Sequence, residues 1–380
     1  MQTTGNTERV QTIIVGAGQA GLSAGYHLKR RGLPFLILDA NERIGDQWRR
    51  RWDSLRLFTS ARYNGLPGMP FPAPQHSFPT KDEMADFLEA YAARFEMPVR
   101  NGVKVESLER EGDTYVLSAG EQRFEAEHVI VATAHHQKPR VPEFASQLEP
   151  DIVQMHSADY KRPSQLREGG VLLVGAGNSA SEIAMELSRH GHPIWMSGRG
   201  TGHIPFRIDT FLARHLLVPL VLRVMFHRVF TTGTPIGRRM RAKMDLHKGG
   251  PLVRVKPRDL KAAGVERVPR TAGVQDGLPV LEDGRVLDVA NVIWCTGFTP
   301  GFSWIKLAVF GEAEPLHERG VATSEPGLYF LGLEFQYAFS SVMVQGAGRD
   351  AEHVVGVLAS RVEAARTAAA QPELAPARQE

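Results

Sequence analysis

Apolar residues occur in short, largely β-branched runs that alternate with stretches of helical spacing. Thr12-Ile-Ile-Val15 predicts a short buried strand, Gln19 to Arg31 a helix that ends at Gly32, and Phe35-Leu-Ile-Leu38 the next strand, closing at Asp39. Between the first strand and the helix lies Gly16-Ala-Gly-Gln-Ala-Gly21. Strand, glycine turn, helix, strand and acid stand in the order a dinucleotide site requires. Gly16 allows the tight turn, Gly18 lets the backbone approach a pyrophosphate, and Gly21 lets the helix pack on the strand. The helix N-terminus offers free N–H groups to phosphate, and Asp39 can accept from ribose hydroxyls.

The pattern then repeats. Val171-Leu-Leu-Val174 predicts a strand, Asn178 to His190 a helix and Pro193 to Met196 a further strand. Gly175 and Gly177 take the first two glycine roles, and Ala180 stands at the third, a packing position that tolerates alanine. The copies diverge at the acid. Asp39 lies 23 residues after Gly16, and the same offset from Gly175 falls on Gly198, followed by Arg199. A carboxylate suits a free ribose 2′-hydroxyl, whereas arginine offers a fork to a 2′-phosphate. The first site therefore fits FAD or NAD and the second NADPH. The alternative for Arg199 is a surface residue without a ligand. His128 to Ala134 and Asn291 to Gly297 are matching strand-then-Thr-small segments that close the two halves, so the expected class is α/β with two Rossmann-like units.

Other segments are secondary. Thr80 to Glu96 opens with a Thr80-x-x-Glu83 capping box and predicts an amphipathic helix. Val99 to Leu108 and Tyr115 to Phe124 read as two strands joined at Glu111-Gly-Asp113.

Composition is that of a soluble globular protein, with 42% apolar and 23% charged residues over a length of 380, enough for two domains. No apolar run is long enough for a membrane span, and the polar N-terminus does not resemble a secretory signal, so a cytoplasmic home is expected. Cys295 is the only cysteine, which excludes an internal disulfide and a C-x-x-C pair. His135-His136 and His190-Gly-His192 match no common metal spacing, and no metal site is expected. Net charge is +3, but His203 to Lys261 holds thirteen Lys/Arg against three Asp. That basic segment has three readings: a solvated helical excursion beside an anionic cofactor, a substrate lid, or a membrane-surface contact. No nucleic-acid module accompanies the charge.

Further motifs carry a resemblance. They are Ile44-Gly45-Asp-Gln-Trp48, Trp52-Asp-Ser-Leu-Arg-Leu-Phe-Thr59, Leu66-Pro-Gly-Met-Pro-Phe-Pro72, Ala132-Thr-Ala134 with Pro139 and Pro142, and His156-Ser-Ala-Asp-Tyr160. Together with the two turns they resemble the FAD- and NADPH-dependent flavoprotein monooxygenases, over nearly the whole chain to about Arg361. Asp46 replaces the second glycine of the family's Gly-Gly-x-Trp. Pro150 and Ile152 replace the Phe and Gly that open its Phe-x-Gly-x-x-x-His-x-x-x-Phe/Tyr signature.

The resemblance implies a split FAD domain, residues 1–163 and 300–366, with an NADPH domain at 164–299 inserted and a flexible tail at 367–380. Lys161-Arg-Pro-Ser164 and Phe298-Thr-Pro-Gly301 are the expected crossings. FAD contacts are expected from Gly16, Gly18, Gln19, Ala20, Gly21, Asp39, Ala40, Gln47, Trp48, Arg56, Val105, Ala132 and Thr133. NADPH contacts are expected from Gly175, Gly177, Asn178, Ser179, Ala180, Ser197, Arg199, Cys295, Thr296 and Gly297. Asn64, near the place where relatives set an asparagine beside the flavin, and Arg56 are the catalytic candidates. The implied mechanism is reduction of FAD by NADPH, reaction with dioxygen to a C4a-(hydro)peroxyflavin, and oxygenation of a small organic substrate at N, S or a carbonyl carbon. Two alternatives stay open: a flavin reductase or oxidase that passes electrons to a quinone, a protein or dioxygen, and a non-catalytic redox sensor.

Overall fold

The computed structural model of the chain describes residues 7–134, 137–243, 249–311 and 314–370. His135 and His136 and the end of the expected tail, residues 371–380, lie outside them. The chain begins with β1 (Thr7–Val15), α1 (Gln19–Arg30) and β2 (Phe35–Leu38). β1 starts ahead of the predicted Thr12 because Thr7 to Val10 pair with a strand whose own start the apolar pattern hides. A short helix, α2 (Asp46–Arg49), precedes α3 (Lys81–Arg94), where Thr80 and Glu83 form the expected capping box.

The stretch after α3 departs from expectation. Two strands were predicted from Val99 to Phe124, and four form: β3 (Val99–Arg100), β4 (Ser107–Glu111), β5 (Thr114–Ala119) and β6 (Gln122–Val131). The hairpin at Gly112 is where it was expected. A second one, at Gly120-Glu121, was missed. Gly120 takes φ +58°, and glycine first in a two-residue turn matches the twist of antiparallel strands.

After β6 come β7 (Lys138–Pro139), β8 (Val153–His156), β9 (Val171–Val174), α4 (Asn178–Ser188) and β10 (Ile194–Ser197). Then come α5 (Pro235–Lys243), α6 (Pro257–Ala262), β11 (Glu266–Val268), the hairpin β12 (Thr271–Gln275) and β13 (Leu278–Leu281), β14 (Asn291–Trp294) and β15 (Phe298–Thr299). The chain returns through β16 (His317–Glu318), β17 (Val321–Ala322) and β18 (Leu328–Phe330) to the long helix α7 (Val344–Ala370), which continues past residue 367.

The first sheet runs β16-β17-β18-β6-β1-β2-β3, with the β4–β5 hairpin attached to β6. Its central strands are parallel, Val15 standing beside both Leu38 and Val131. The second sheet runs β11-β10-β9-β14-β8 and is parallel throughout. It starts at Val153, ahead of the crossing expected near 161–164. The ribbon between the units is β7 paired antiparallel with β15. Both faces of each sheet are covered by apolar cores, which is why their strands are continuous apolar runs. Among the described residues no helix is long and apolar enough to cross a membrane.

Trp52 belongs to the N-terminal segment, yet it packs in the core of the second unit with Tyr160 and Ile183 and is 7% exposed. Truncating it leaves a cavity that neither sheet can fill by itself. Trp52→Ala is expected to cost about 3–4 kcal/mol, read as a lowered urea midpoint. An unchanged midpoint would mean that the segment does not tie the units together.

Candidate dinucleotide sites

In the first turn Gly16 takes φ +109°, and an added Cβ would lie 2.8 Å from the Ala132 carbonyl oxygen. At Gly21 it would lie 1.9 Å from the Gly16 carbonyl oxygen, so helix and turn touch backbone to backbone. At Gly18 it would meet nothing within 4 Å. No side chain caps α1, and this open space over its N-terminus is room a pyrophosphate can use. Asp39 is buried. Its carboxylate accepts from Ala17 N at 2.6 Å and from Asn41 N and Nδ2 at 2.8 Å each. The expected ribose acid therefore also clamps the glycine turn. A carboxylate accepts about four bonds, which leaves capacity for a ribose hydroxyl.

Around this turn the expected residues scatter in exposure. Ala20, Ala40, Val105 and Ala132 are buried except for the exposed Ala40, while Gln19, Trp48 and Thr133 are half-buried and Gln47 is exposed. Gln137 donates to Thr133 Oγ1 at 2.7 Å and to the Ala134 carbonyl at 2.8 Å. Those bonds fix Ala134 at φ +61°, a left-handed conformation in the place of the family's glycine. Gly45 takes φ +88°, and a Cβ there would strike the Ala85 backbone at 2.6 Å. Asp46 is accommodated because it opens α2 and pairs with Arg49 at 3.2 Å.

The second turn repeats the geometry. Gly175 takes φ +125° and its Cβ would lie 2.2 Å from the Cys295 carbonyl oxygen, while at Gly177 nothing lies within 4 Å. Ala180 is fully buried at the third position. Asn178 is held by the basic segment: it accepts from Val253 N at 2.9 Å and donates to the Pro251 carbonyl at 3.1 Å. Ser179 is half-buried and Arg199 exposed. Ser197 is fully buried, bonded to the Thr271 hydroxyl and backbone N at 2.8 Å each, so its hydroxyl joins β10 to β12 and is not offered to a nucleotide. Thr296 donates through Oγ1 to the Arg140 carbonyl, and Gly297 takes φ +79°. Cys295 is half-buried as a residue but its thiol is enclosed, and burial pushes it up to about 12. It is inert as a nucleophile.

His156 Nε2 bonds the Gly297 carbonyl at 3.0 Å and Nδ1 accepts from Ala158 N at 3.1 Å. Both bonds require a neutral ring protonated at Nε2, and burial lowers its pKa in the same direction. Tyr160, fully buried, donates to Glu186 on α4 at 2.7 Å. The His-x-x-x-Tyr segment is thus a brace between β8, the turn after β14 and α4. His190 and His192 each bond a backbone carbonyl, at 2.9 and 3.1 Å. Of the catalytic candidates, Asn64 is fully buried with its amide engaged by Thr59: Oδ1 accepts from Oγ1 at 2.5 Å and Nδ2 donates to the carbonyl at 3.0 Å. Arg56 is exposed and donates to the Phe78 carbonyl at 3.0 Å.

A model of the pyridine nucleotide-disulphide oxidoreductase family matches residues 13–209. The chain is 37% identical to an uncharacterized CzcO-like oxidoreductase of Geobacillus kaustophilus, over 91% of this chain and 97% of that one. It is 30% identical to the indole-3-pyruvate monooxygenase YUCCA1 of Oryza sativa, over 77% and 78%. The solved flavin-containing monooxygenase from Stenotrophomonas maltophilia superposes with a TM-score of 0.74 at 28% identity, over 93% of this chain and 99% of that one. The chain belongs to the FAD- and NADPH-dependent flavoprotein monooxygenases.

Sequence reading missed two arginines of this flavoprotein. Arg267 on β11 donates to the Gly198 carbonyl at 2.8 Å, which sets a second guanidinium beside Arg199. Only the β10–β11 pairing brings it there, some seventy positions along the chain. Arg254 donates to Glu182 of α4 at 3.2 Å and to the Leu57 carbonyl at 2.8 Å, and stacks over Phe58 and Phe78. It joins the second turn's helix to the Trp52–Thr59 segment. Its only sequence signal was membership of the basic run.

The glycine geometry yields a paired prediction. Gly18→Val should fold but purify without flavin, because its side chain enters open space. Gly21→Val should fail to fold, because its Cβ meets backbone. Far-ultraviolet circular dichroism and flavin absorbance read both outcomes. A Gly18→Val protein with full FAD would overturn the assignment of this turn.

Proposed function

We propose that the first turn would hold FAD and the second NADPH, which would supply the two electrons for a monooxygenation in which one oxygen atom of dioxygen enters a small organic substrate at nitrogen, sulfur or a carbonyl carbon and the other leaves as water. The observation that carries the choice of oxygen over disulfide chemistry is Cys295. It is the chain's one cysteine, and its thiol is enclosed and pushed up to about 12, so this chain offers no dithiol relay. The monooxygenase names of its relatives support the same reading.

Bound flavin supplies hydride acceptance and the activation of dioxygen. The chain's residues supply position. Gly18 and Gly177 leave the space into which the two pyrophosphates fit. Asp39 turns its remaining acceptor capacity to a ribose hydroxyl. Arg199 is exposed and makes no side-chain bond among the described residues, so its fork is open to a 2′-phosphate, with Arg267 adjacent. Trp48 packs against the first core, from where it would border bound flavin. Trp52 and Arg254 tie the second turn's sheet and helix to residues 52–57 of the first unit, and hydride transfer between two bound cofactors requires such a fixed relation.

Two measurements test this reading. In turnover with NADPH and ¹⁸O₂ over a panel of thioethers, amines and ketones, the product should carry one labelled oxygen per NADPH consumed. Stoichiometric hydrogen peroxide with unlabelled products throughout would establish the oxidase alternative. Arg199→Ala should raise KM for NADPH about ten- to a hundredfold and leave NADH unaffected, the cost of one charge-assisted contact. An unchanged NADPH/NADH ratio would transfer the 2′-phosphate contact to Arg267.

A further inference from the structure

The basic segment leaves the second unit and lies against the first. Ala213–Leu217 and Leu220–Val229 are helical with widened turns, joined through Val218 and Pro219, which keep right-handed helical dihedrals. Phe226 packs on Phe339 at 4.4 Å, the His227 ring bonds Ser340 Oγ at 3.1 Å, and Gln345 at the start of α7 donates to the Leu222 carbonyl at 3.3 Å. Beneath this strap is a cavity of about 400 Å³, with Arg62, Tyr63, Arg223, His227, Arg228 and Gln345 on its walls. It adjoins Asn64 in the chain.

The chemistry of these walls is one-sided. Three of the residues are arginines, and among the described residues no carboxylate lines the cavity. None of the three makes an ion pair or a side-chain hydrogen bond among the described residues, although most arginines of this chain do. Arg62 and Arg223 instead lie over the Tyr63 ring at 5.1 and 5.4 Å. Tyr63 is 4% exposed and its buried hydroxyl has no partner. Three guanidinium groups on one cavity repel one another, and the phenol lacks an acceptor. An anion in the cavity would relieve both, since guanidinium binds carboxylate through paired, charge-assisted bonds.

We infer that this cavity is the substrate's anion subsite and that the substrate class is a small organic carboxylate, gripped by Arg62, Arg223 and Arg228. The word substrate rests on the monooxygenase reading; the anion site does not. Two of its arginines come from the strap, so the basic segment acts as a selective wall over the cavity. The His203–Lys261 charge is then explained in part by ligand recognition.

The test is calorimetric binding to oxidised, NADP⁺-saturated holoenzyme of two matched probes, (phenylthio)acetate and its neutral amide. The carboxylate should bind at least about tenfold more tightly, and Arg223→Gln and Arg228→Gln should each remove about tenfold from the carboxylate alone. Flavin content of the variants, unchanged from the parent, shows that they are folded. Equal affinity for acid and amide, or variants that weaken both probes alike, would overturn the inference. Acid selectivity that appears only without NADP⁺ would also overturn it, since the arginines would then serve the nucleotide's phosphates. Selective binding without oxygen transfer to sulfur would leave the anion site standing and count against the monooxygenase reading instead.

Discussion

Backbone contact at the two glycine turns is the constraint on which the rest depends. Gly16 sits so close to the Ala132 carbonyl, and Gly175 to the Cys295 carbonyl, that no side chain fits between them. Each turn is thereby pinned to the strand that closes its half, β6 or β14, and each helix starts at a fixed height above its sheet. The internal repeat follows from this. A glycine turn and a strand that ends in a small residue are two sides of a single contact, so they recur together. The open space at Gly18 and Gly177 exists because the neighbouring glycines take up the close approach.

Around residues 52–59 the two halves are joined by polar bonds and by the Trp52 side chain. Trp52 crosses from the first unit into the second core, and Arg254 crosses back to the Leu57 carbonyl. These contacts converge on residues 52–59, between the two turns. His156 and Tyr160, part of the family's signature, work as braces here, which accounts for their burial and for their neutral, fully bonded state. The two departures in that signature, Pro150 and Ile152, fall before β8 and outside the braced segment.

The strap adds a third layer. It carries Arg223 over the Tyr63 ring and Arg228 on the cavity wall, while Phe211, Leu212 and Leu216 stay exposed. Part of its charge therefore lines the cavity, while part of its hydrophobicity stays exposed. A composition count merges the two, and for that reason the segment had three readings when it was known only as sequence.

Local pattern alone determined the nucleotide halves. Strand, glycine spacing, helix and acid all lie within some twenty-five residues, and each follows from backbone sterics and period, so β2 and β9 fall where the apolar runs end them. The capping box at Thr80 was legible for the same reason. Where a partner lay far along the chain, only the tertiary structure decided. Ser197 looked like a nucleotide contact until its pairing with Thr271 buried it. Arg267 gave no signal until β11 lay beside β10. β8 went to the second sheet because its partner, β14, lies more than a hundred residues further on. Side-chain chemistry at a site is set by which strands become neighbours, and a one-dimensional period carries no record of that choice.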